Sequence, residues 1–123
     1  MAYQSFEQLE VWRLARKLAG DVYAEIRPCR DFHFRGQITN AVCSIANNLA
    51  EGSERLHRKE FIMFLGYAKG SAGEVRNQLY RAEDLGYITS DRAAQLRADA
   101  RLLGGKIYAL IRSLSTATLV LKP

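Results

Sequence analysis

Residues 60–85 read EFIMFLGYAKGSAGEVRNQLYRAEDL. Counting from Phe61, the residues Leu65, Ala68, Ala72, Val75, Leu79 and Ala82 recur at alternating steps of four and three. That is the seam of a helix packed lengthwise against others. No proline interrupts it, and at about 1.5 Å per residue the stretch spans roughly 39 Å. A helix of that length calls for companions lying along it, so the sequence predicts an all-α, up-and-down antiparallel four-helix bundle.

Outward from this stretch, the other helices follow from the same periodicity. The first is expected over residues 6–26, with Leu9, Trp12, Ala15, Ala19, Val22 and Ile26 on its buried face, Ser5 as its N-cap and Pro28 ending it. The second, residues 34–51, buries Phe34, Ile38, Ala41, Val42, Ile45 and Leu49 and stops at Gly52, a residue suited to the left-handed position after a helix. The third runs over residues 58–85, with His57 as an imperfect cap three residues before Glu60, and Gly86 closes it. The fourth, residues 90–115, opens at Thr89 or Ser90 and carries the seam Leu96, Ala100, Leu103, Ile107, Leu110 and Leu114. Residues 116–123 form a tail without an assigned structure, docked if at all through Leu119 and Leu121. All 123 residues make one domain, since a chain of this length with 48% hydrophobic residues can bury one sizeable core.

Composition narrows the function classes. The longest apolar runs fall well short of the roughly 20 residues that cross a bilayer, and no basic-then-apolar leader opens the chain, so a cytoplasmic protein without a membrane partner is expected. Cys29 and Cys43 lack a CxxC spacing and read as reduced thiols. The net charge is +5, and its distribution matters more than its total. Residues 87–123 carry Arg92, Arg97, Arg101, Lys106, Arg112 and Lys122 against only Asp91 and Asp99, whereas the earlier segments are nearly balanced. Such asymmetry suits an anionic partner, RNA or DNA, and equally suits a merely solvated surface.

At 100° per residue, Arg97, Arg101, Tyr108 and Arg112 cluster on the outward side of the fourth helix with Lys106 beside them. These five are the candidate nucleic-acid contacts, the arginines and lysine for phosphates and the ring for a base. Two runs of small uncharged residues mark candidate oligomer interfaces: Thr39, Cys43, Ala46 and Ala50 on the second helix, and Ala94, Ala98, Gly105 and Ala109 on the fourth. Asn48, Ser71, Glu74 and Gln78 flank the core seams and form a candidate polar network, with Asn48 the expected partner of Ser71 and Gln78.

Chemistry finds little support. Glu54 and His57 have the spacing of a bundle metal ligand pair, but they are one pair, not two, and fall in a connection; His33 lies in another. No serine stands in a nucleophile elbow. Gly66, Gly70 and Gly73 lie inside a helical pattern rather than in a phosphate loop, and read as packing contacts. No enzyme, metal or cofactor is therefore expected.

Four motifs carry a family resemblance: Phe6-Glu7-Gln8-Leu9-Glu10-Val11-Trp12; Ser44-Ile45-Ala46-Asn47-Asn48-Leu49-Ala50-Glu51-Gly52; Glu60-Phe61-Ile62-Met63-Phe64-Leu65 followed by Gly70-Ser71-Ala72-Gly73-Glu74; and Asp84-Leu85-Gly86-Tyr87-Ile88. In this order they resemble the four-helix bundle proteins encoded in intervening sequences of bacterial 23S ribosomal RNA genes. The chain departs from that pattern at Ala46, where the family usually has proline, and at His57, where it usually has serine or threonine. The resemblance implies a homopentameric ring, similar to the accessory protein of diversity-generating retroelements that binds a reverse transcriptase and nucleic acid, and it implies no catalysis. Two function classes remain open: an oligomeric nucleic-acid-binding bundle, and a scaffold that meets a protein partner with no direct nucleic-acid role.

Overall fold

The computed structural model describes residues 5–121, with side-chain surroundings described as far as residue 116. A 3-10 turn at Phe6–Gln8 precedes four helices, α1 (Glu10–Ile26), α2 (Phe32–Ser53), α3 (Arg58–Asp84) and α4 (Ser90–Leu121). Each helix packs on the next and α1 returns to α4, while the two diagonal pairs stay apart. With connections this short the neighbours run antiparallel, which makes an all-α up-and-down four-helix bundle. The packing is densest along both sides of α3 and loosest between α1 and α4.

The core is built from the seams that the periodicity marks. Leu65, Ala68, Ala72, Val75, Leu79 and Ala82 of α3 are buried, as are all six expected residues of α2 and Leu96, Ala100, Leu103 and Ile107 of α4. Leu110 and Leu114 pack against the core's edge. In α1 the buried row is Val11, Ala15, Leu18, Val22 and Ile26, one step round from the expected face. Leu9, Trp12 and Ala19 form its flank, and Trp12 meets Phe6 edge-to-face at 5.1 Å, which holds the 3-10 turn against the bundle.

The helix ends differ from expectation in physically instructive ways. Ser5 makes no side-chain cap; its carbonyl instead closes the 3-10 turn by accepting from the Gln8 N–H at 3.0 Å, and α1 proper begins after Leu9. Arg27 stays in right-handed helical geometry with its N–H on the Tyr23 carbonyl, so Pro28 ends α1 by lacking the next N–H, not by displacing Arg27. The cap of α2 is Asp31, whose carboxylate accepts from the Phe34 N–H at 3.1 Å and extends the helix back to Phe32. Gly52 is not a left-handed terminator: it lies inside α2 and is buried. A Cβ there would stand 2.6 Å from Phe64 Cβ, so this glycine lets α2 and α3 approach closely. The left-handed position belongs to Gly86 (φ 74°). Around it the Tyr87 N–H reaches the Ala82 carbonyl at 2.9 Å and the Gly86 N–H the Glu83 carbonyl at 3.0 Å, a Schellman motif. His57 gives α3 no side-chain cap, whereas Thr89 Oγ1 accepts from the Arg92 N–H at 3.2 Å and caps α4. The fourth helix continues past residue 115 to Leu121; the side chains of Leu119 and Leu121 lie outside the described residues, as do residues 122 and 123.

No helix among the described residues is long and apolar enough to cross a membrane.

Candidate nucleic-acid interface

The basic residues of α4 do not form one free stripe. Arg97 is tied to the protein's own surface: its guanidinium bonds Glu83 Oε1 at 2.7 Å and lies 3.9 Å from the centre of the Tyr80 ring. Its side chain is 17% exposed, and the bond it gives Glu83, with a second from Ser90, holds that carboxyl below its ordinary range. Arg97 thus clamps the end of α3 to the start of α4. Lys106 faces the other way and pairs with Glu10 of α1 at 3.3 Å, an exposed pair of small energetic weight.

Arg101, Tyr108 and Arg112 remain on the α3 side, and α3 supplies what the sequence did not point to. Lys69 and Arg76 stand with Arg101 and Tyr108 along one groove that the small residues Ala72, Gly73, Ala100, Gly104 and Gly105 also line. Gly104 is close to Ala72, with room for a Cβ at 3.8 Å from that methyl, so small residues on both helices bring the two backbones near and leave the long cationic side chains as the groove's banks. Lys69 Nζ lies 5.8 Å from the Tyr108 ring centre and the Arg112 guanidinium 6.0 Å, so two cations flank one exposed ring. No acidic side chain lines this groove, and Lys69, Arg76, Arg101 and Arg112 form no ion pair among the described residues.

The polar network is smaller than expected. Ser71 meets Ser44, not Asn48: the two hydroxyls are 2.6 Å apart, and Ser44 Oγ lies 2.9 Å from the Ala41 carbonyl. Each hydroxyl has one proton, so Ser44 donates to the carbonyl and accepts from Ser71. Asn48 turns back to the Ser44 carbonyl of its own helix at 2.8 Å. Glu74 is exposed, and Gln78 keeps a buried Oε1 without a partner.

The small-residue runs also divide. Ala94, Ala98, Gly105 and Ala109 of α4 are all exposed, with Leu102 57% exposed among them. On α2 only Cys43 is exposed; Thr39, Ala46 and Ala50 are half-buried because α1 and α3 both flank that helix, and Ala46 packs on the core. Gly66, Gly70 and Gly73 do not pack within the chain, since a Cβ at each would meet nothing within 4 Å.

The Schellman turn, the close α2–α3 contact at Gly52 and all of the bundle's helices except the last turns of α4 fall within the stretch matched by a family model, residues 7–109, described as 23S rRNA-intervening sequence protein. The chain belongs to that family. The match contains Lys69, Arg76, Arg101 and Tyr108 and stops short of Arg112, so three of the groove's four cations lie within it. No curated protein sequence matches the chain.

Proposed function

We propose that this intervening-sequence protein is a non-enzymatic, oligomeric nucleic-acid-binding bundle, with the α3–α4 groove as the track for an RNA phosphate backbone. The observation that carries the reading is the groove itself, four cations and an exposed ring gathered from two helices with no carboxylate among them. Cations that make no ion pair among the described residues have none to break when phosphates arrive, and they release the counterions of the nucleic acid they neutralise. Tyr108 gives an unstacked base a surface. Copies of the chain would meet through the exposed small-residue side of α4 around Ala98, Leu102 and Gly105, which multiplies the groove around the assembly.

Filter binding to ribosomal RNA fragments at low salt tests this. Arg101→Glu combined with Lys69→Glu should abolish binding, while Lys106→Glu, on the α1 side, should leave most of it. Binding that survives the first pair, or no binding by the unaltered protein, rejects the groove. A protein partner retained after nuclease treatment, together with no RNA binding, would favour the scaffold reading.

A further inference from the structure

On the opposite flank of α3 lies a second groove, of different character. Its walls come from the start of α2 and the last turns of α3, and Gln37, Asn77, Gln78, Arg81 and Asp84 line it. None of these five side chains makes a hydrogen bond or ion pair to another described residue, although Arg81 and Asp84 stand three apart on one helix. Gln78 Oε1 is also sealed from solvent without a donor, an arrangement that proteins seldom leave. Its terminal amide torsion is soft, so the oxygen is free to turn toward the groove that the residue lines. At the rim stands Tyr80, 55% exposed, with one face of its ring covered by the Arg97 guanidinium.

We infer that this groove takes one unstacked guanine base of a bound single strand, with Asp84 and Gln78 as its acceptors and Arg81 with the Asn77 amide as its donors. Guanine presents two adjacent donors, N1–H and N2–H, which fit the two oxygens of a carboxylate, and on its other edge two acceptors, O6 and N7, which fit a guanidinium or amide. Adenine lacks the paired donors, and the pyrimidines lack the second acceptor edge. The free face of Tyr80 stacks on the base, and the Arg97–Glu83 bond holds that ring in place from behind. The inference rests on the nucleic-acid reading above, because the strand is delivered by the cations on the other side of α3.

The test is fluorescence anisotropy with oligouridine of about ten nucleotides, compared with the same strand carrying one central guanine, adenine or cytosine. The guanine strand should bind about tenfold tighter than the others. Asp84→Asn and Gln78→Leu should each erase that preference while leaving affinity for plain oligouridine unchanged, with circular dichroism showing the bundle intact. Equal affinity for all four strands overturns the inference and leaves the phosphate track standing. A guanine preference that survives both substitutions overturns it as well. No binding of any strand overturns the nucleic-acid reading and this inference together.

Discussion

Replacing Gly52 with alanine should lower stability, although alanine is the better helix former. Were the site open, the substitution would gain up to about 1 kcal/mol from helix propensity. It is not open: the new Cβ would lie 2.6 Å from Phe64 Cβ and 3.2 Å from Phe61 Cδ1. Carbon atoms in contact prefer about 3.5–4.0 Å, so α2 and α3 must part by roughly 1 Å. Phe64 Cβ sits next to its own backbone and cannot swing aside as the tip of a long side chain would. Overpacking of this kind costs about 1–3 kcal/mol, which leaves a net loss of roughly 1 kcal/mol, or about 3–6 °C in melting temperature for a domain of this size. Gly20 is the control, since a Cβ there meets nothing within 4 Å. Gly20→Ala should raise the melting temperature by a similar margin. Both are read by thermal and urea unfolding at one fixed protein concentration, because any assembly makes the midpoint concentration-dependent. If Gly52→Ala stabilises as much as Gly20→Ala, the close α2–α3 approach is wrong.

Three further outcomes are expected. Asp31 accepts from Tyr87 Oη at 2.6 Å and from the Phe34 N–H, which together hold its carboxyl below its ordinary value. A lowered folded value means that the carboxylate's stabilisation is complete above the unfolded value of about 3.9 and fades as pH falls through the folded one. Asp31→Asn should therefore cost stability by a constant amount near neutrality, and the gap to the unaltered protein in urea midpoint should shrink below about pH 4. Ser44→Ala and Ser71→Ala should each cost about 1 kcal/mol, and the double variant less than their sum, since both break one bond. Ala98→Glu, placed on the exposed side of α4, should lower the sedimenting mass of the assembly without changing the helical content; an unchanged mass removes that side as an interface.

Most of the fold could be read from periodicity because in α2, α3 and α4 the row expected at the seam is the row that faces the core. Helix α1 carries two overlapping rows. Leu9, Trp12 and Ala19 share Ala15, Val22 and Ile26 with the row that is buried, and the bulk of Trp12 favours the wrong side; in the fold it serves the edge, against Phe6. Gly52 shows a second limit. A glycine near the end of a helical pattern suits a terminator and a close contact equally well, and only the position of Phe64 in space separates them.

The candidate site was half visible for a similar reason. Arg101 and Tyr108 declare themselves on a basic helix, but Lys69 and Arg76 sit among the glycines of α3, where acids are also present. A signal existed. An antiparallel pair joined by a short turn reflects about its midpoint near Ile88, which puts Ala72 beside Gly104, Arg76 beside Ala100 and Lys69 beside Ile107. Arg97 misleads in the opposite sense, since its partners Glu83 and Tyr80 lie across the same turn.

The salt dependence of RNA affinity tests the groove most directly. Four cations on a single-stranded backbone predict a slope of log affinity against log salt of about −3 for each groove engaged. Neutralising Lys69 and Arg101 as glutamines should flatten that slope by about 1.4 per groove, whereas Arg97→Gln should lower the unfolding midpoint and leave the slope in place. A slope unmoved by the loss of Lys69 and Arg101 would contradict the account.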